Sequence, residues 1–225
     1  MKGRRKWPGA GASAFPCPPD QSALEAPAFW AADACGFVTI LDAAPDRFAG
    51  RSATSLIAPL RVIAEQTLRT GHHMVLSDGK TVHRLCLLAG PYERPLAFVI
   101  PCDQLASVRL SASAVLNSTP VDRGSGESAG LSMPTEFQRQ RLELLCDILD
   151  LAVIPDGVRM TSHELARQRV YPGLTIGRGA EWKSSSHRRR TQRLIGEARA
   201  MMNSGYRALL AGRGDKNKLD NLPLR

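Results

Sequence analysis

The chain has 225 residues, 43% hydrophobic and 23% charged, enough for one or two small domains with a real core and too apolar for wholesale disorder. A formal net charge of +9 points to a polyanionic partner, while aromatics at 5% argue against gripping single strands by base stacking. The charge is unevenly placed: residues 134–225 hold 17 Lys and Arg against 10 Asp and Glu, residues 1–133 hold 13 against 11, and four of those 13 lie in MKGRRK at the start.

Residues 1–27 are rich in Gly, Pro, Ala and Ser without periodicity, which predicts a flexible arm. Order is expected from Phe29-Trp30. Gly36–Asp42 (GFVTILD) reads as a strand, and residues 53–70 read as a helix, with Leu60, Ile63, Ala64 and Leu68 at helical spacing and Gly71 at its end. His73–Gly90 reads as a hairpin turning through a type I′ turn at Asp78-Gly79. Arg94–Pro101 adds a strand, and Asp103 caps a helix through Leu116 with Leu105, Val108, Ala112 and Val115 on one face. Residues 28–117 are thus expected to form a small α+β domain on an antiparallel sheet, suited to self-association or docking on another protein.

Residues 118–133 have the Ser/Gly/Pro composition of a linker. Residues 134–211 are expected to be all-helical. A helix runs from Pro134-Thr135 to about Leu151 with Phe137, Leu144, Leu145, Ile148 and Leu151 inward. Thr161 and Glu164 form a capping box that opens a short helix to about Val170, stopped by Tyr171-Pro172-Gly173. After a connector (174–181) comes a basic helix from about Ser185 to Asn203, capped by Ser184 or a neighbouring serine and closed by Gly205 in the left-handed conformation. A short helix at Tyr206–Ala211 precedes a tail, 212–225, expected to be disordered. Three helices with a short second and a basic third describe a helix-turn-helix variant, although the connector is longer than the usual turn.

The basic helix carries the chemistry. Thr191, Leu194, Ile195, Ala198, Met201 and Met202 fall on one face; Arg189, Gln192, Arg193 and Asn203 fall on the other, with Arg188 and Arg199 beside them. Guanidinium groups read guanine, and Gln or Asn reads adenine, in a major groove. Lys183, Ser184, Ser185, Ser186 and His187 gather at the helix N-terminus, where amides and dipole favour phosphate. The candidate DNA contacts are these five with Arg188, Arg189, Arg190, Gln192 and Arg193, Arg190 being nearest the packed flank. The plain alternative is a solvated basic face and ordinary serine capping. Trp182 and Tyr206 read as packing residues.

Other chemistries find little support. Cys17, Cys35, Cys86, Cys102 and Cys146 are scattered with no C-x-x-C pair, so neither a disulfide framework nor a zinc site is expected. His72, His73 and His83 lack spaced partners for a metal. No G-x-S-x-G elbow is present, and Gly177–Gly179 lacks the strand and third glycine of a nucleotide loop. No catalytic residue, metal or cofactor is assigned. MKGRRK is followed by no apolar stretch, and no run approaches the ~20 residues of a membrane span. A cytoplasmic, nucleoid-associated location is expected.

The run W-K-S-S-S-H-R-R-R-T-Q-R-L-I-G-E-A-R (182–199), closing in S-G-Y-R-A-L-L (204–210), resembles the C-terminal DNA-binding domain of RovC-like transcriptional regulators, a family similar to activators of integrative-element excision typified by FseA. The segments H-R-L-C-L (83–87), R-P-L-A (94–97) and H-E-L-A (163–166) extend the likeness over about residues 28–211. The resemblance implies a transcriptional activator, of secretion or mobile-element transfer genes, that binds double-stranded DNA and has no enzymatic activity. A homo-oligomer is expected because one isolated helix-turn-helix buries little DNA surface. RNA polymerase or a small anti-activator would be its protein partners. Two other readings of the same helix are a DNA-bending recombination accessory protein and a protein-binding anti-activator. The turn Val170–Gly173 departs from the family's compact L-F-G.

Overall fold

Val38, Ile40 and Leu41 place three buried apolar side chains in six residues, and around this strand the first half of the chain is built. The computed structural model describes residues 12–14, 27–88, 93–118, 135–152 and 160–212. They belong to two compact units, one formed by Met1–Ser132 with Leu210–Arg213 and the other by Met133–Leu209 with Gly214–Arg225. The architecture is α+β: a largely antiparallel sheet precedes a set of helices.

In the first unit, β3 (Val38–Ala43), β4 (Arg61–Leu68), β5 (Gly71–Ser77), β6 (Val82–Leu87) and β7 (Leu96–Val99) form one sheet in the order β4-β5-β6-β3-β7. One pair, β3 with β6, is parallel; the others are antiparallel. Leu41, Met74, Leu76, Leu85 and Leu87 cover one face and pack with Ala53, Leu56 and Leu116 from α1 (Ala53–Ile57) and α2 (Ala106–Asn117). Val38 and Cys86 point to the other face and pack with Cys35, Trp30 and Leu210. Two further short strands, β1 (Ala12–Ala14) and β2 (Phe29–Trp30), pair antiparallel.

Three expectations change here. The helix expected over 53–70 stops at Ile57, capped by Ser52 and followed by Pro59, and the chain re-enters as the edge strand β4. Its alternation is broken by a bulge: Val62 pairs with Leu76 and Ala64 with Val75, which leaves Ile63 as the extra residue and creates the false helical spacing. Gly71 ends no helix. It opens β5 at φ +133, where a Cβ would lie 2.2 Å from the Leu87 carbonyl oxygen. The Asp78-Gly79 hairpin forms, but as a four-residue loop between Ser77 and Val82; only Gly79 has positive φ, because Asp78 Oδ1 accepts from the Lys80 and Thr81 amides instead of entering a type I′ turn. Within the segment expected to be a flexible arm, Ala12–Ala14 are a strand, since the backbone of Phe29–Trp30 offers them an edge. The other arm residues up to Ala26, the linker except Ser118, and the tail beyond Gly212 lie outside the described residues.

The second unit is built on α3 (Glu136–Ala152), α4 (Ser162–Leu165), α5 (Gly179–Ser184), α6 (Ser186–Ala200) and α7 (Tyr206–Leu210, whose last residue groups with the first unit). Leu145 and Ile148 of α3, Leu165 of α4, and Leu194 and Ala198 of α6 make its core. The Thr161–Glu164 capping box is present in both directions. α4 runs on as a π-helical turn over Ala166–Val170, and α6 as another over Met201–Gly205.

Candidate nucleic-acid interface

Ser185 is the joint on which the interface depends. At φ −70 and ψ 150 it is the only residue between α5 and α6, and it serves both. Its amide and hydroxyl donate to the Trp182 carbonyl, closing α5, while its Oγ accepts from the Arg188 amide at 3.1 Å, opening α6. The last three residues of the connector expected over 174–181 are thus helical, as the start of α5. Trp182 on α5 is buried with Ala166 and Ile176, its ring meeting His163 edge-on at 5.1 Å. His163 Nε2 lies 3.1 Å from the Gly177 carbonyl oxygen, which ties α4 to the start of the connector.

α6 is rotated by its buried stripe. Leu194 and Ala198 pack with Leu145 and Ile148 of α3 and Leu165 of α4, and Thr191, buried too, satisfies its hydroxyl on the His187 carbonyl. Arg141, buried at 3% exposure, donates to both Glu197 carboxylate oxygens at 2.5 and 2.6 Å. This strut between α3 and α6 has a sequence signal on one side: Arg141 stands at an apolar-stripe position of α3.

With that rotation set, Ser186, Arg189, Gln192 and Arg193 line one open concavity. Arg189, Gln192 and Arg193 are exposed, and so is Lys183 at the end of α5. Among the described residues no carboxylate forms an ion pair with Lys183, Arg188, Arg189 or Arg193. Arg188 is half-buried and donates to the Lys183 carbonyl at 3.1 Å.

The remaining candidates are turned inward or occupied. Arg190 lies with its guanidinium 6.0 Å from the Tyr171 ring, and His187 meets the same ring edge-on at 4.7 Å. Ser184 spends its hydroxyl on the Ala180 and Glu181 carbonyls. Tyr171, expected only to stop a helix, is thus the post against which the first turn of α6 leans. Met202 and Gly205 also depart from expectation. The π-turn carries Met202 out to 47% exposure, and Gly205 is not left-handed; a Cβ there would meet Met201 Sδ at 2.8 Å.

Residues 99–211 match the family model for the RovC DNA-binding domain, described as a T6SS transcription factor DNA-binding domain. The chain belongs to that family. It is a DNA-binding transcriptional regulator, and DNA is its partner. The RovC match begins within β7 and takes in α2 as well as the helices of the second unit. Residues 38–98 match a domain family of unknown function, DUF7012. No curated protein and no solved structure matches. No helix among the described residues is long and apolar enough to cross a membrane.

Proposed function

We propose that the chain is a sequence-specific activator that reads duplex DNA through the first turns of α6, with α4, the connector and α6 acting as a helix-turn-helix unit. The observation that carries this is the Arg189–Gln192–Arg193 face, exposed and without ion pairs among the described residues, on a helix whose other side is locked by Thr191, Leu194 and Ala198. Arg189 and Arg193 suit the O6 and N7 acceptors of guanine, and Gln192 suits adenine. Lys183, Arg188 and Ser186, beside the open amides of the α6 N-terminus, suit phosphates and would set the register. Ser184, Ser185, His187 and Arg190 hold the scaffold. The T6SS description of the family favours secretion genes as targets. Self-association through the first unit would place two such helices on paired half-sites. Expected protein partners are RNA polymerase or a small anti-activator, in a cytoplasmic setting and with no catalytic step.

Binding-site selection from random duplexes with the full chain, followed by gel shifts, tests the reading. Arg189→Ala and Arg193→Ala should each cost about 1–3 kcal/mol and relax preference at one base position. Unchanged affinity and preference in both variants would overturn the assignment of α6.

A further inference from the structure

α6 runs from Ser186 to Ala200, and Gly196 stands in its last third. Glycine is the poorest helix former after proline; in a helix interior it lowers the folding equilibrium roughly five-fold against alanine. Two ordinary reasons could hold a glycine there, and neither applies. Its φ is not in the left-handed region, so the backbone asks for no glycine. A Cβ at this position meets no atom within 4 Å, so the packing of the protein leaves room for a side chain. Gly205 shows the contrast in the same unit, since a Cβ there would meet Met201 Sδ at 2.8 Å.

The reason for the glycine therefore lies outside the chain, and its place on α6 says where. The helical repeat puts Gly196 within about 20° of Arg189 and between Gln192 and Arg193 around the axis. It is exposed, opposite the buried Thr191, Leu194 and Ala198. Arg199, one turn further on, is exposed too, and among the described residues no carboxylate forms an ion pair with it. Glu197, the only acidic residue of α6, is held by Arg141 at 2.5 and 2.6 Å. Two turns separate Gly196 from Arg189, roughly 10 Å along the axis, close to the ~12 Å width of the major groove. A helix whose first turns lie on base edges has reached the wall of the groove at this residue.

We propose, resting on α6 as the DNA-reading helix, that the sugar–phosphate backbone of one strand crosses α6 at Gly196, against the helix main chain, with Arg199 beside it for the phosphate. Gly196 is then a positioning residue. It lets the helix axis come close enough to the strand for Arg189, Gln192 and Arg193 to reach the bases, and a side chain there holds the axis off. The contact carries no base information of its own.

Gly196→Ala and Gly196→Leu in the full chain test it, by thermal unfolding, by gel shifts on the duplex that the parent protein selects, and by a fresh selection from random duplexes. Both variants should melt no lower than the parent, because a better helix former replaces glycine. Affinity should fall several-fold for Gly196→Ala and further for Gly196→Leu, with base preference unchanged. If both variants bind like the parent while Arg189→Ala and Arg193→Ala weaken binding, α6 remains the reader and the Gly196 contact is overturned. If all four bind like the parent, the reading of α6 fails and the contact fails with it. A lower Tm for Gly196→Ala marks a glycine that the fold itself needs, and a changed base preference puts a base edge at this position; either result overturns the contact.

Discussion

Arg141, Arg190 and Arg193 carry the same side chain into three environments, and burial decides what each does. Arg141 is withdrawn from water and paired with Glu197, so the pair acts as a strut and neither charge is available to a ligand. Glu197→Gln would leave Arg141 buried against a weaker partner. An expected loss of about 2 kcal/mol, reduced because Glu197 is a third exposed, should appear as a lower urea midpoint. Replacing both residues with Met should recover most of that loss; a single variant as stable as the parent would show that water reaches Arg141. Arg190 leans on Tyr171. Arg190→Ala should cost about 0.5–1 kcal/mol of stability and weaken DNA binding less than Arg189→Ala does, a ranking that gel shifts can reverse. Arg193 is exposed, and in the proposed reading it takes a base edge.

At the scale of elements, a one-residue elbow sets the direction of α6. Ser185→Ala removes both the cap of α6 and the hydroxyl that closes α5, and should lower stability by about 1 kcal/mol, measured by thermal unfolding followed by circular dichroism. Ser185→Asp keeps the acceptor and should retain most of the cap. If Ser185→Asp falls as far as Ser185→Ala, the hydroxyl's donation to Trp182 is the larger part. This arrangement was half legible in advance: three serines before an amphipathic basic run announce a helix start, but not that α5 ends one residue earlier. The α4 capping box, T-x-x-E, was legible in full because both partners lie within one turn. β4 was not, because a bulge at Ile63 and exposure along an edge strand erase the alternation that marks a strand.

For the whole molecule, acid should act in two stages. Burial, and then the charge of His72, hold the His73 pKa below its ordinary 6.5, so the unfolded chain binds a proton that the folded one refuses. Stability then falls as pH drops from about 6.5 towards the depressed value. Asp103 is held below its ordinary 3.8 by the hydrogen bond from Arg109, and Glu164 below 4.5 by the Thr161 amide; their contributions are present above those values and lost as pH falls through the depressed ones. Tm measured against pH should show both stages, and His73→Gln should remove the upper one alone. A salt series supplies a separate check on DNA binding. Lys183→Ala should weaken binding on all sequences alike and make the slope of log affinity against log salt shallower by about 1, with base preference unchanged.

Periodicity, caps and charge placement determined the α+β class, the helical second half and the basic face of α6, because each depends on residues within one or two turns of one another. The resemblance to RovC-like regulators rested on a contiguous run for the same reason, and the family match over residues 99–211 agrees with it. The tertiary structure alone decided which candidates remain available. Arg190 and His187 are taken by Tyr171, Ser184 and Ser185 by neighbouring carbonyls, and Arg141 by a carboxylate 56 positions away. It also decided that the Nε of Arg84 is buried on a face of the sheet, and that Arg84 makes no ion pair among the described residues. Those outcomes are set by long-range packing and by competition for hydrogen bonds, and neither leaves a periodic trace in the chain.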